Sequence, residues 1–166
     1  MGKVKFPEKG MSEQEILAEM DELKKNDLDW RGGKAWSLVY HASDEHTELL
    51  KKAHNKFFSV NALNPMAFPS LKKFEAEVVA MTIDMLNGGR KACGVMTSGG
   101  TESNAMAVKT YRDWARVEKP EIEKPEAIFP ISAHPSLEKG AHYFDVKVVH
   151  VPVDDDYRAD IDAVKE

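Results

Sequence analysis

Apolar residues in the first half of the chain recur every three or four positions, the period of amphipathic helices. Ser12 and Glu15 have capping-box spacing, which predicts a helix from there to about residue 25. Ser43 is suited to cap a second helix, and Gly88-Gly89 to end a third in a left-handed C-cap. We expect the apolar stripe of each helix to be buried. The stripes are Ile16, Leu17, Met20 and Leu23; Leu49, Leu50, Ala53, Phe57 and Phe58; and Leu71, Phe74, Val78, Met81 and Met85.

From Cys93 onward the pattern changes to short apolar runs that alternate with helical segments. Strands separated by helices predict an α/β fold with a mostly parallel sheet. We therefore divide the chain into an amino-terminal helical segment, 1–90, and the first, incomplete part of an α/β domain, 91–166. The last residues, 160–166, are typical of the opening turns of another helix, so we expect the natural protein to continue. The predicted strands are 94–97, 127–131 and 146–153. One predicted helix starts near residue 101, and another spans about 135–144.

Composition narrows the classes of partner. The net charge of −5 and the pI of 5.7 give no basic field for nucleic acid or anionic lipid. The sequence has neither a signal-peptide run nor an apolar run long enough to span a bilayer. The single cysteine, Cys93, has no partner for an internal disulfide, and we interpret it as a small core residue in a reducing compartment. This favours a cytoplasmic location and leaves an upstream membrane anchor open.

The segment most suggestive of chemistry is 95–104, Val-Met-Thr-Ser-Gly-Gly-Thr-Glu-Ser-Asn. It predicts a strand, a glycine turn and a helix start. Gly99 and Gly100 let the backbone approach a ligand, while the free N–H groups and the positive dipole of the helix favour an anion such as phosphate. Thr101 adds a hydroxyl donor. On these grounds alone, an ordinary strand-to-helix turn is an equally good interpretation.

Other ligands are disfavoured by spacing. The segment matches neither the Walker A motif nor the Gly-x-Gly-x-x-Gly dinucleotide motif, so a nucleotide is not expected. The acidic run Asp154-Asp155-Asp156 is better interpreted as a solvated turn than as a metal site. The histidines lack zinc-site spacing. We predict no metal.

The octamer 97–104, Thr-Ser-Gly-Gly-Thr-Glu-Ser-Asn, resembles the cofactor-phosphate motif of the group II pyridoxal-phosphate-dependent decarboxylases and their relatives, the sphingosine-1-phosphate lyases. The flanking segments 68–79, 86–89 and 109–113 resemble the lyases in order and spacing, and the likeness extends from Trp36 to the end. The resemblance implies the amino-terminal part of a fold type I enzyme. It also implies a homodimer and pyridoxal 5'-phosphate as the cofactor.

Carried over residue by residue, the resemblance places Gly99, Gly100 and Thr101 on the cofactor phosphate and His134 on the pyridine ring. A packed or surface histidine is the alternative for His134. Tyr40 resembles a tyrosine near the phosphate of the substrate, and a packed tyrosine is as good an interpretation. Asn64 resembles the start of a loop that borders the active site. After Pro65 the chain departs from many family members, and this weakens any inference about substrate identity.

The resemblance implies cleavage of a phosphorylated long-chain base to a fatty aldehyde and phosphoethanolamine. Amino-acid decarboxylation is an alternative, and a short non-catalytic homologue that acts as a binding partner is another. The Schiff-base lysine of the family commonly follows a histidine, and no His-Lys dipeptide occurs in the 166 residues. The matching lysine and the aspartate for the pyridine nitrogen are expected downstream. We therefore assign no catalytic residue here and expect the fragment alone to be inactive.

Overall fold

The computed structural model describes residues 5–166. It divides the chain into two compact units, of which one ends at Asn61 and the other spans Ala62–Glu166. Among the described residues, no helix is both long enough and apolar enough to cross a membrane.

The first unit contains two helices with local caps. Helix α1, Glu13–Lys24, follows Ser12, whose hydroxyl accepts from the Glu15 backbone N–H while the Glu15 carboxylate accepts from the Ser12 N–H at 2.8 Å. This is the reciprocal capping box predicted from the sequence. Helix α2, Asp44–Phe57, is capped by Ser43 through the His46 N–H at 3.0 Å. Both helix starts are confirmed.

The predicted burial of these helices is wrong within the described unit. The apolar stripe of α1 is between 43% and 64% exposed, and Leu49, Leu50 and Phe58 on α2 are between 55% and 75% exposed. Two helices alone offer each other too little surface to cover such stripes.

In the loop before α2, Trp30 packs beside His41 with ring centroids 5.3 Å apart, whereas Trp36 is 93% exposed.

The second unit begins with helix α3, Pro69–Met85. It ends in a Schellman arrangement, in which the Gly88 N–H donates to the Ile83 carbonyl at 2.8 Å and the Asn87 N–H to the Asp84 carbonyl at 3.0 Å. The left-handed residue is Asn87, with φ of 55°, and not one of the two glycines. The stop was predicted correctly, but the residue that makes it was not. Most of the α3 stripe is also exposed.

The remaining elements alternate as the sequence predicted. They are helix α4, Gly100–Glu118; strand β1, Glu126–Pro130; helix α5, Pro135–Tyr143; strand β2, Lys147–Val151; and helix α6, Ile161–Lys165. The two strands pair in parallel, with Ala127 opposite Val148 and Phe129 opposite His150. Helix α5 connects them. This confirms the α/β prediction with a small parallel sheet.

The tightest packing joins α4 to α5. Ala141 is completely buried, and Val108 and Val151 are 9% and 5% exposed. Gly140 lies against α4, where a Cβ atom would come within 2.8 Å of the Ala105 Cα. The amino-terminal half of α4 is therefore fixed to α5 by backbone contact.

Two predictions around Cys93 are wrong in the described chain. Residues 94–97 form no strand, and the Met96 N–H donates to the Glu75 carboxylate at 3.1 Å. A strand requires a neighbouring strand to complete its hydrogen bonds, and none of the described residues provides one at this position. Cys93 itself is a free, exposed thiol and not a core residue.

Candidate functional site

The turn before α4 is braced by its own side chains. The Thr97 hydroxyl donates to the Gly99 carbonyl at 3.1 Å and accepts from the Ser103 hydroxyl at 2.6 Å. The Glu102 carboxylate accepts from both the backbone N–H and the hydroxyl of Ser98, at 2.7 and 2.6 Å. The backbone before the helix is thus held in one conformation.

The glycines of this turn face open space. A Cβ atom at either Gly99 or Gly100 would meet no heavy atom within 4 Å. Gly99 is the N-cap and supplies no side-chain cap, so helix geometry leaves the first N–H groups of α4 free. These donors and the positive end of the helix dipole suit an anion. Thr101 is exposed on the first turn of α4.

The Glu102 carboxylate is hydrogen-bonded to Ser98. The hydrogen bond from the Ser98 hydroxyl, followed by that from the Ser98 backbone, lowers the pKa of Glu102 from its ordinary 4.5. The carboxylate is therefore an anion at neutral pH. Sequence reasoning missed this contact, because the spacing of four residues between Ser98 and Glu102 is not that of a capping box.

His134 begins helix α5 as its N-cap. Its Nδ1 accepts from the Ser136 backbone N–H at 3.2 Å and lies 2.7 Å from the Ser136 hydroxyl oxygen. The same hydroxyl oxygen accepts from Asn104 Nδ2 at 2.7 Å. Asn104 is four residues after Gly100 on α4, a rise of about 6 Å. This chain of contacts ties His134 to the glycine end of α4.

The two residues predicted to contact substrate have different surroundings. Asn64 uses its side-chain oxygen locally, accepting from the backbone N–H groups of Met66 at 3.0 Å and Ala67 at 3.2 Å. Tyr40 lies in the first unit and is fully exposed. Within the second unit, the structure connects His134 with the 97–104 turn, whereas the recorded hydrogen bonds of the Asn64 side chain are to its own loop. The assignment of Tyr40 and Asn64 to substrate stays a prediction.

Other candidates for chemistry are weaker. Asp154 accepts from the backbone N–H groups of Asp156 and Arg158, both at 2.9 Å, as expected of a turn. Within residues 5–166, no three His, Cys, Asp or Glu side chains are grouped so that they could hold a metal ion. His150 contacts Glu138 at 2.8 Å.

A cleft of about 430 Å³ beside α4 is almost wholly apolar, with Tyr111, Trp114 and Phe129 in its wall.

Solved structures define the class of fold. A glutamate decarboxylase from Lactobacillus brevis superposes with a TM-score of 0.73 at 19% identity, covering 99% of this chain and 38% of that one. A sphingosine-1-phosphate lyase from Burkholderia pseudomallei superposes with a TM-score of 0.86 at 36% identity, covering 99% of this chain and 39% of that one. The fold is that of the pyridoxal-phosphate-dependent decarboxylases.

Sequence comparison then indicates the particular relatives. Sphingosine-1-phosphate lyase 1 of Mus musculus is 45% identical over 160 residues, which is 96% of this chain and 28% of the mouse protein. A probable L-aspartate decarboxylase of Pyrococcus furiosus is 33% identical over 98% of this chain and 41% of its own length. No protein-family model matches. The chain is thus similar along nearly its whole length to an amino-terminal portion of the sphingosine-1-phosphate lyases and spans about a third of their length.

Proposed function

We propose that this chain is the cofactor-phosphate-binding part of a pyridoxal-phosphate-dependent carbon–carbon lyase. The proposed substrate is a phosphorylated long-chain base of the sphingosine-1-phosphate type, and the products are a fatty aldehyde and phosphoethanolamine. The observation that supports this most is the pairing of an open glycine turn at the start of α4 with His134, which is tied to the same end of the helix. The similarity to sphingosine-1-phosphate lyases suggests the substrate.

The residues present fit the phosphate of pyridoxal 5'-phosphate. The space above Gly99 and Gly100 is open, and the first N–H groups of α4 are unused by the helix. A phosphate dianion accepts hydrogen bonds from such groups and gains from the helix dipole. The Glu102 carboxylate is hydrogen-bonded to Ser98 and leaves the first N–H groups of α4 unused.

Each residue has a separate proposed part. Gly100 and Thr101 donate to the phosphate, and Gly99 keeps the approach clear. The exposed ring of His134 stacks on the cofactor ring and restricts its tilt. When bound, pyridoxal phosphate supplies an electron sink for cleavage of a bond to the carbon that bears the amine. Tyr40 and Asn64 are proposed substrate contacts on the strength of the family resemblance alone. The active form is proposed to be a cytoplasmic homodimer.

Amino-acid decarboxylation is the second candidate, because the Pyrococcus furiosus relative is 33% identical over nearly the whole chain. The two reactions release different products from the same cofactor. Incubating the complete protein with pyridoxal phosphate and either a phosphorylated long-chain base or L-aspartate separates them. Aldehyde and phosphoethanolamine support the lyase proposal, whereas carbon dioxide from the amino acid overturns it in favour of the decarboxylase. A complete protein that binds no pyridoxal phosphate would indicate a non-catalytic binding partner.

The phosphate site is tested by a charge placed at its centre. Gly100→Asp puts a carboxylate where the phosphate is proposed to bind, and we expect pyridoxal-phosphate affinity to fall by about 100-fold, since charge-assisted bonds are lost and repulsion is added. Gly89→Asp is the matched control, because a side chain there also meets open space. Equal affinities in the two variants would exclude the α4 start as the phosphate site.

A further inference from the structure

The side chain of Ser136 is the buried centre of a three-residue contact. Ser136 is 3% exposed, and its hydroxyl oxygen lies 2.7 Å from both Asn104 Nδ2 and His134 Nδ1. A hydroxyl has one proton to donate and two lone pairs, so its oxygen can accept from Asn104 while the hydroxyl either donates to His134 Nδ1 or accepts from it. The direction decides which nitrogen of the imidazole carries the proton.

The backbone settles that direction. The Ser136 N–H donates to His134 Nδ1 at 3.2 Å, and a backbone N–H can act only as a hydrogen-bond donor. Nδ1 is therefore an acceptor and carries no proton in the neutral ring. The Ser136 hydroxyl must then donate to Nδ1, and its oxygen must accept from Asn104. This order agrees with the Asn104 amide group as placed, with Nδ2 toward Ser136.

We propose that Asn104 and Ser136 are positioning residues that hold His134 as the Nε2–H tautomer, with the Nδ1 edge of its ring fastened to the start of α5. The Nδ1 lone pair lies in the plane of the ring and is shared by the two Ser136 donors, so these contacts restrict the ring plane as well as the tautomer. The face of the ring and the Nε2–H group then remain for a ligand at the α4 end. The tautomer is inferred from the protein contacts alone. The inference that this tautomer orients a cofactor rests on the proposed function.

Packing makes this arrangement stiff. Gly140 allows α5 to lie directly on the Ala105 backbone, one residue after Asn104. The distance from Asn104 to Ser136 is thus set by helix contact and not by two flexible side chains. A histidine on an exposed loop would sample several rotamers. The His134 ring is instead held by the Asn104–Ser136–His134 contacts, here called the relay, which join α4 to the start of α5.

Nitrogen NMR of the histidine side chains in the full chain tests the proposal without any cofactor. The chain has six histidines, and the His134 signals are those lost in His134→Asn. At alkaline pH, where imidazoles are neutral, we expect Nδ1 of His134 to appear as the unprotonated nitrogen, shifted by the hydrogen bonds that it accepts. A proton on Nδ1 would overturn the proposal.

Isosteric substitution separates positioning from packing. In Asn104→Asp the new carboxylate can only accept, so the Ser136 hydroxyl donates its hydrogen bond to Asp and Nδ1 loses that bond, while the side chain keeps its size. We expect the Nδ1 resonance to move toward the value of an unbonded nitrogen, as it does in Ser136→Ala, and to stay in place in the control Ser132→Ala. An unmoved resonance in both relay variants would refute the relay.

Cofactor binding is measured separately in the complete protein. We expect Asn104→Asp to weaken pyridoxal-phosphate binding by about tenfold, the equivalent of one hydrogen bond, with Ser132→Ala unchanged. Full affinity in Asn104→Asp, with the nitrogen shift present, would overturn the orienting role. A wild-type protein that binds no pyridoxal phosphate would overturn the proposed function and leave the nitrogen result to decide the relay.

Discussion

Gly140 of α5 and Ala105 of α4 are in such close contact that a Cβ atom on the glycine would lie 2.8 Å from the Ala105 Cα. The contact is with backbone, which has little freedom to move aside. It joins the helix that carries the glycine turn to the helix that His134 begins. A single small residue thus fixes the geometry on which the candidate site depends.

Gly140→Ala should therefore destabilise the protein although alanine favours helix. The added methyl group must separate α4 from α5, and overpacking of this kind costs about 1 to 3 kcal/mol. Chemical denaturation followed by circular dichroism measures the loss. Gly89→Ala is the control, because its methyl group meets no atom within 4 Å. A Gly140 variant as stable as the wild type would contradict the packing described.

The end of α3 allows a paired test at Asn87. This residue has φ of 55°, a conformation that costs an ordinary L-residue about 1 to 2 kcal/mol and glycine almost nothing. We expect Asn87→Ala to lower the free energy of unfolding by about 1 kcal/mol and Asn87→Gly to leave it equal or higher. Similar losses in both variants would mean that the asparagine side chain, and not the backbone conformation, matters.

Local signals in the sequence were sufficient for the helix starts. Ser12, Ser43 and Asp160 each cap the helix that they were expected to begin, because a cap needs only residues within one turn. The strands β1 and β2 were placed to within two residues at each end for a similar reason, since their apolar runs are bounded by turns. Their parallel pairing followed from the helix between them.

Features that depend on distant residues could not be predicted. The contact between Asn104 and Ser136 joins positions 32 apart, and nothing in either local sequence indicates it. The burial of the helical stripes and the strand at 94–97 each required a neighbour that the described residues do not provide. The motif at 97–104 indicated where we propose that a phosphate binds, whereas the bracing of Glu102 on Ser98 became visible only in three dimensions.

Adjacent aspartates in the acidic run after β2 are expected to contribute differently to the free energy of unfolding. Asp154 accepts from two backbone N–H groups and from Arg158 Nε at 3.1 Å, whereas the neighbouring Asp155 is an exposed turn residue. We expect Asp154→Ala to lower the free energy of unfolding by about 1 kcal/mol and Asp155→Ala to change it little. Calcium at millimolar concentration should not shift the melting temperature. A calcium-dependent rise would indicate the metal site that the turn geometry argues against.

The Glu102 carboxylate gives the turn a dependence on pH with a definite sign. Hydrogen bonds from Ser98 lower the pKa of Glu102 below its ordinary 4.5 in the folded protein, so the anion is the form that stabilises the fold. Its contribution is complete above that ordinary value and is lost as the pH falls through the lowered pKa.

Denaturation series should therefore show Glu102→Gln less stable than the wild type at neutral pH, with the difference in the free energy of unfolding disappearing in acid. Glu121→Gln, in the exposed loop after α4, serves as the control and should show no such difference. A difference for Glu102→Gln that persists unchanged at low pH would mean that the substitution acts through packing and not through the charge of the Glu102 carboxylate.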